Sequence, residues 1–123
     1  TMVDHQHPVC RRLRENCELL GTTQINIVCS DALTYLRQTF DQFDIIFIDP
    51  PYNTLLATQT FNLLNRQTTT TPDGVIYVES GTHMEPLVLP SGWEIFRQKA
   101  QGEVRYQLYQ KIKETVNRES ASV

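Results

Sequence analysis

The sequence predicts an α/β fold: a mostly parallel sheet, flanked by helices on both faces and finished by a C-terminal antiparallel hairpin. Three observations predict it. Strand-like and helix-like segments alternate from Thr1 to Glu79, the order that builds a parallel sheet with helical crossovers. The segment Phe43-Asp44-Ile45-Ile46-Phe47-Ile48 is apolar throughout after Asp44, as expected of a strand covered on both faces. Two alternating segments around Gly102 then read as a hairpin.

Thr1-Met2-Val3-Asp4 has the look of a strand end closing in a carboxylate. Pro8 to Leu20 follows as a helix, with Val9, Leu13, Cys17 and Leu20 on one face, Pro8 in its first turn and Gly21 just past its end. Ile25 to Cys29 is β-rich, and Ser30-Asp31 is a natural cap for a short helix from Ala32 to Gln38 that buries Leu33 and Leu36. The Phe43–Ile48 strand stops at Asp49-Pro50-Pro51, where proline forbids further pairing. Thr58 to Asn65 is a helix through Phe61, Leu63 and Leu64, and Gln67 to Gly74 is loop and turn around Pro72-Asp73-Gly74. Val75 to Glu79 is a buried strand and Ser80 to Ser91 is irregular. Trp93–Lys99 and Glu103–Lys111 form the hairpin, with Val104, Tyr106 and Leu108 on one face. Residues 1–112 make one domain, and 113–123 a flexible polar tail.

At 123 residues the chain suffices for one domain with a real core. No run approaches ~18 apolar residues, so no membrane partner is expected, and without a secretory pattern the expected location is cytoplasmic. The net charge of −3 means that any nucleic-acid partner must meet a local basic surface. Cys10, Cys17 and Cys29 form no CxxC pair. Cys10 and Cys17 lie two turns apart on one helix, roughly 10 Å, too far for a disulfide, and all three read as free thiols. His5-x-His7 lacks further ligands at metal-site spacing, so no metal is expected.

Ligands of open α/β sheets bind beyond the carboxyl ends of the strands. Asp4, Asp31 and Asp49 each stand at or just past such an end, and Glu79 closes a fourth. Carboxylates gathered at one rim suit a ligand offering hydroxyl and amino donors. Asp4 is placed to accept from ribose hydroxyls; its rival role is that of an acid at a helix start. Asp31 could accept from an adenine amino group or cap the Ala32 helix. Asp49-Pro50-Pro51-Tyr52 is the most specific signal. A carboxylate and the Pro50 carbonyl, fixed by rigid prolines, can accept both hydrogens of a planar amino group and turn its lone pair toward a methyl donor. Tyr52 could stack on a base swung out of its helix.

The Asp-Pro-Pro-Tyr element resembles motif IV of the amino-directed class I methyltransferases. The chain is more narrowly similar to the C-terminal two-thirds of the bacterial 16S ribosomal RNA guanine-N2 methyltransferases, of the guanine-966 type. The stretches that carry the resemblance are Asp4–Asn16, Asp31-Ala32-Leu33 to Leu36, Phe43 to Tyr52, Gly74 to Glu79, and Gly102 to Tyr109. It implies a Rossmann-like sheet and S-adenosylmethionine as cofactor, bound by Asp4, Asp31 and Ala32. It also implies catalytic roles for Asp49, Pro50, Pro51 and Tyr52, and transfer of a methyl group to a guanine N2 in 16S rRNA, free or in the small ribosomal subunit. Tyr52, Arg105 and Tyr106 would meet the RNA, since Arg97, Lys99, Arg105 and Lys111 make the hairpin basic while Tyr106 and Tyr109 supply aromatic rings.

The chain departs from this family at its start. The glycine-rich first motif would precede Thr1, and none of the five glycines forms a G-x-G cluster. A partial domain beginning at Thr1 is therefore expected to bind the cofactor weakly or not at all and to be inactive alone. It would lack a central strand, so its sheet would need rearrangement or pairing between chains, whereas the intact enzyme is expected to be a monomer. Two rival readings share the motif: a DNA adenine-N6 or cytosine-N4 methyltransferase, and a non-catalytic α/β fragment.

Overall fold

The computed structural model describes residues 1–49, 54–84 and 87–113. In chain order the elements are β1 (Met2–Asp4), α1 (His7–Leu20), β2 (Ile27–Cys29), α2 (Ala32–Gln38), β3 (Phe43–Ile48), α3 (Thr54–Arg66), β4 (Thr70–Gly81), β5 (Trp93–Gln101) and β6 (Val104–Lys111). The alternation is as expected, but the strands divide into two sheets. β1 and β2 form a parallel pair, while β3-β4-β6-β5 form a second sheet in which β3 and β4 are parallel and the hairpin is antiparallel.

The helix ends follow from local chemistry. Gly21 takes the left-handed conformation, φ 66°, that stops α1 at little steric cost. The Gly21 amide then donates to Glu18 O and the Thr22 amide to Cys17 O, which satisfies carbonyls the helix cannot pair. The buried stripe of α1 centres on Cys10 rather than on the expected Val9-to-Leu20 face. Cys10 is fully buried, and Leu20 at the helix end is 77% exposed.

The main core lies against one face of the four-stranded sheet. Phe61 and Leu64 of α3 and Leu36 of α2 pack with Ile76, Val78, Trp93 and Tyr109, joined by the half-buried Ile46 and Ile48. Phe61, Leu64 and Ile76 are fully buried, each worth about 1.5–3 kcal/mol relative to exposure. The Phe61 ring meets Trp93 at 5.7 Å and Tyr109 at 5.0 Å, both edge to face, the arrangement that ring quadrupoles favour. Trp93 Nε1 donates to Asn65 Oδ1 at 3.0 Å, so this ring is buried with its polar atom paired. On β6 the residues turned to the core are Gln107 and Tyr109, while Val104, Tyr106 and Leu108 lie half-buried on the other side.

Three expectations are corrected. β3 is not covered on both faces: it stands at the sheet edge, with Ile46 and Ile48 turned inward while Ile45 and Phe47 are 55% and 73% exposed. Helix α3 begins four residues before the expected Thr58, because the apolar Leu55-Leu56-Ala57 continues the helical pattern. The stretch read as loop before Gly74 belongs in part to β4. Phe43 opposes Thr70 and Ile45 opposes Val75, so the chain bulges at Pro72-Asp73-Gly74 and rejoins the same partner. Turn chemistry is present there, but the strand on either side keeps its pairing. Thr71 Oγ1 donates to Asp44 Oδ1 across the bulge at 2.9 Å. Gly74 is required by space, since a Cβ would come within 2.4 Å of Thr70 Cγ2. Lys113 pairs with Asp73 at 3.1 Å, both exposed, while the expected polar tail from 114 to 123 lies outside the described residues.

Candidate functional site: acids at the strand ends

Asp4 closes β1, and its register partner on β2 is Cys29. The Ser30 amide donates to the Asp4 carbonyl at 2.9 Å, tying the two strand ends together one residue before Asp31. Asp4 Oδ1 accepts from the Gln6 amide at 2.8 Å, a short Asx-type turn that leads into α1. Asp31 is exposed and caps α2, its Oδ2 accepting from the amide and the hydroxyl of Thr34, each at 3.1 Å. The capping role weighed for Asp31 is thus present, and it occupies one carboxylate oxygen. Ala32, the first residue of α2, is exposed beside it.

Asp49 follows the last residue of β3 and is exposed. The strand beneath it is well anchored: Ile48 pairs with Val78, and Ile46 and Ile48 pack on the core. The structure therefore brings Asp4 and Asp31 to neighbouring ends of one sheet and sets Asp49 at the end of a strand in the other. Pro50, Pro51 and Tyr52 lie outside the described residues. Carboxylates at such ends are hydrogen-bond acceptors, which is the chemistry that ribose hydroxyls, an adenine amino group or a base amino group would require.

Arg105 and Tyr106 are consecutive on β6 and so point to opposite faces of the sheet. Arg105 Nη2 donates to the Thr82 carbonyl at 3.3 Å, bracing the segment after β4. Tyr106 instead stands in a row of rings. Phe47 meets Tyr77 at 5.5 Å, and Tyr77 lies 6.3 Å from Tyr106, with Lys99 opposite Tyr106 on β5. Burial, then the charges of Glu79 and Tyr106, push the Tyr77 phenol above its ordinary pKa. This aromatic row was not foreseen, because only the register of β3, β4 and β6 reveals it. Tyr109 lies on the core side, where burial outweighs the Arg105 charge and raises its pKa.

Sequence reasoning also missed a thiol cluster behind Asp4. Cys10 Sγ donates to the Asp4 carbonyl at 3.3 Å, and Cys29 Sγ lies 3.4 Å from His7 Nδ1. Among the described residues, no group of three or more His, Cys, Asp or Glu is placed to hold a metal ion, and no helix is long and apolar enough to cross a membrane.

Ribosomal RNA small subunit methyltransferase D of Escherichia coli strain K12 is 32% identical over 111 residues, which make up 90% of this chain and 56% of that protein. The protein of the same name from Haemophilus influenzae is 32% identical over 114 residues, 89% of this chain and 58% of its own. The chain thus spans a little over half the length of these relatives. Among solved structures, a putative methyltransferase from Escherichia coli superposes with a TM-score of 0.83 at 30% identity, over 91% of this chain and 63% of that one. A putative methylase from Haemophilus influenzae gives 0.78 at 31%, over 90% and 71%. The fold is therefore the class I methyltransferase fold, of which this chain covers a part. A family model matches residues 1–110, and the chain belongs to that family, described as conserved hypothetical protein 95.

Proposed function

We propose that the chain is the catalytic part of an S-adenosylmethionine-dependent methyltransferase that modifies the N2 amino group of a guanine in small-subunit rRNA. The observation that carries the reading is Asp49. It is an exposed carboxylate one residue past an anchored parallel strand, and Pro50-Pro51-Tyr52 follows it in sequence. The similarity to proteins named ribosomal RNA small subunit methyltransferase D supports rRNA as the substrate class.

Asp4 and Asp31 are suited to the adenosine end of the cofactor. Each engages one oxygen with the chain, Oδ1 of Asp4 and Oδ2 of Asp31. A carboxylate can accept further donors, here the ribose hydroxyls for Asp4 and the adenine amino group for Asp31. When bound, S-adenosylmethionine supplies an electrophilic methyl group. The chain's own part is to orient the acceptor. Asp49 and the Pro50 carbonyl would hold the two amino hydrogens and so turn the nitrogen lone pair toward the methyl donor, and Tyr52 would stack on the displaced base. The gain comes from positioning and fixed electrostatics. No general base of shifted pKa is needed, because the amino group loses its proton after attack. Tyr106 and Lys99 offer an aromatic and a cation for RNA contact on their face of the hairpin.

The test is an assay of the full-length protein with radiolabelled S-adenosylmethionine on 16S rRNA, small-subunit particles and duplex DNA, followed by nucleoside analysis. Label in N2-methylguanine from RNA is the expected result. Label in N6-methyladenine or N4-methylcytosine from DNA would replace this reading with the rival enzyme class.

A further inference from the structure

Cys10 and Cys29 lie far apart in sequence, yet Asp4 is a neighbour of both. Cys29 opposes Asp4 in the β1–β2 register, and Cys10 Sγ reaches over from α1 to the Asp4 carbonyl at 3.3 Å. Both thiols thus flank Asp4, and burial first, then the neighbouring Cys29, raise the pKa of Cys10. Their surroundings differ in kind. Cys10 is fully buried, whereas Cys29 is half-buried and its sulfur lies 3.4 Å from Nδ1 of the exposed His7 and 4.0 Å from the His5 carbonyl. Cys29 has both a path to solvent and a base at its side; Cys10 has neither.

We propose that Cys29 is an oxidant-reactive thiol that, once oxidised by a peroxide, closes a disulfide with Cys10. His7 Nδ1 takes the thiol proton, and the Cys29 sulfur attacks one peroxide oxygen. The S–O bond forms as the O–O bond breaks, and the departing hydroxide takes the proton from His7 as water. This leaves a sulfenic acid on Cys29. The Cys10 sulfur then attacks the Cys29 sulfur, an S–S bond replaces the S–O bond, and the released hydroxide leaves as water with the Cys10 proton. The two thiols give up two electrons in all, and one hydrogen peroxide becomes two waters. Burial keeps Cys10 protonated and unreactive toward peroxide until the sulfenic acid is presented to it. The bond would pin α1 to the end of β2, against Asp4 and next to Asp31.

The chemistry does not depend on the methyltransferase reading, and its test reads only thiols. The full-length protein is treated with hydrogen peroxide, alkylated with N-ethylmaleimide and cut with trypsin and a glutamate-specific protease. Cleavage after Arg14 and Glu18 separates the three cysteines. Mass spectrometry without reductant should show the Cys10 and Cys29 peptides joined with the loss of two hydrogens, separated again by dithiothreitol, while Cys17 is alkylated. Cys10→Ser should leave a Cys29 sulfenic acid that dimedone traps, and His7→Gln should slow the loss of the free Cys29 thiol. Alkylation of both Cys10 and Cys29, or a bridge through Cys17, would overturn the proposal. An unchanged rate in His7→Gln would remove the imidazole from it.

Discussion

The two sheets do different work with unequal support. The four-stranded sheet owns the main core, with Phe61, Leu64, Ile76 and Tyr109 all fully buried. The β1–β2 pair has three residues in each strand and leans on α1 through one fully buried side chain, Cys10. Yet Asp4 and Asp31, the acids proposed to hold the cofactor, stand on the smaller sheet, and Asp49 at the edge of the larger one. The main core and the acids proposed for the cofactor thus lie in different parts of the chain, and a change in one part should leave the other readable.

The largest expected effect is on the core. Phe61→Ala removes a fully buried ring with two aromatic partners and should cost about 3–5 kcal/mol in urea unfolding. Leu13→Ala on half-buried α1 should cost well under that. Amide exchange sharpens the same contrast: the amides of β4 and β6 should be the slowest, and those of β1 and β2 should exchange through local opening. Equal protection in both sheets would show that they are equally stable. Next comes Gly74→Ala, where the added methyl meets Thr70 and should cost about 1–3 kcal/mol.

Part of this division was legible in the sequence. α1 and α2 are legible from apolar spacing, Gly21 and the Ser30-Asp31 cap, because these are local signals. The hairpin was legible from alternation around Gly102. The start of β4 was not: Pro72-Asp73-Gly74 carries real turn chemistry, and only pairing with β3 shows that the chain bulges and returns to the same neighbour. The exposure of β3 was missed for a related reason. Apolar composition records what a strand can bury, and the described structure leaves Ile45 and Phe47 largely exposed. Of the candidate site, the acids are legible from the strand ends, while the meeting of Cys10, Cys29 and His7 depends on register that no sequence spacing displays.

Asp31 allows the two roles of one residue to be separated. Asp31→Ala should cost about 0.5–2 kcal/mol through loss of the α2 cap, and Asp31→Ser should recover most of that. Both should weaken S-adenosylhomocysteine binding in calorimetry; if Ser restores affinity along with stability, Asp31 is a cap alone. The smallest effect is expected at alkaline pH. Tyr77 and Tyr109 have folded pKa values raised above 10.0, so their contribution is intact below that pH and is lost as pH rises through the folded values. Unfolding followed from pH 8 to 11 should show this decline, and Tyr109→Phe should flatten part of it.

Asp49 is the residue on which methyl transfer should depend, and the decisive assay is modification of 16S rRNA by the full-length protein carrying Asp49→Ala. The rate should fall by about 10²–10³-fold, as when one fixed polar contact to the reacting group is removed, while affinity for S-adenosylhomocysteine and the urea midpoint stay as in the parent. A variant that methylates RNA at the parent rate would remove Asp49 from the reaction.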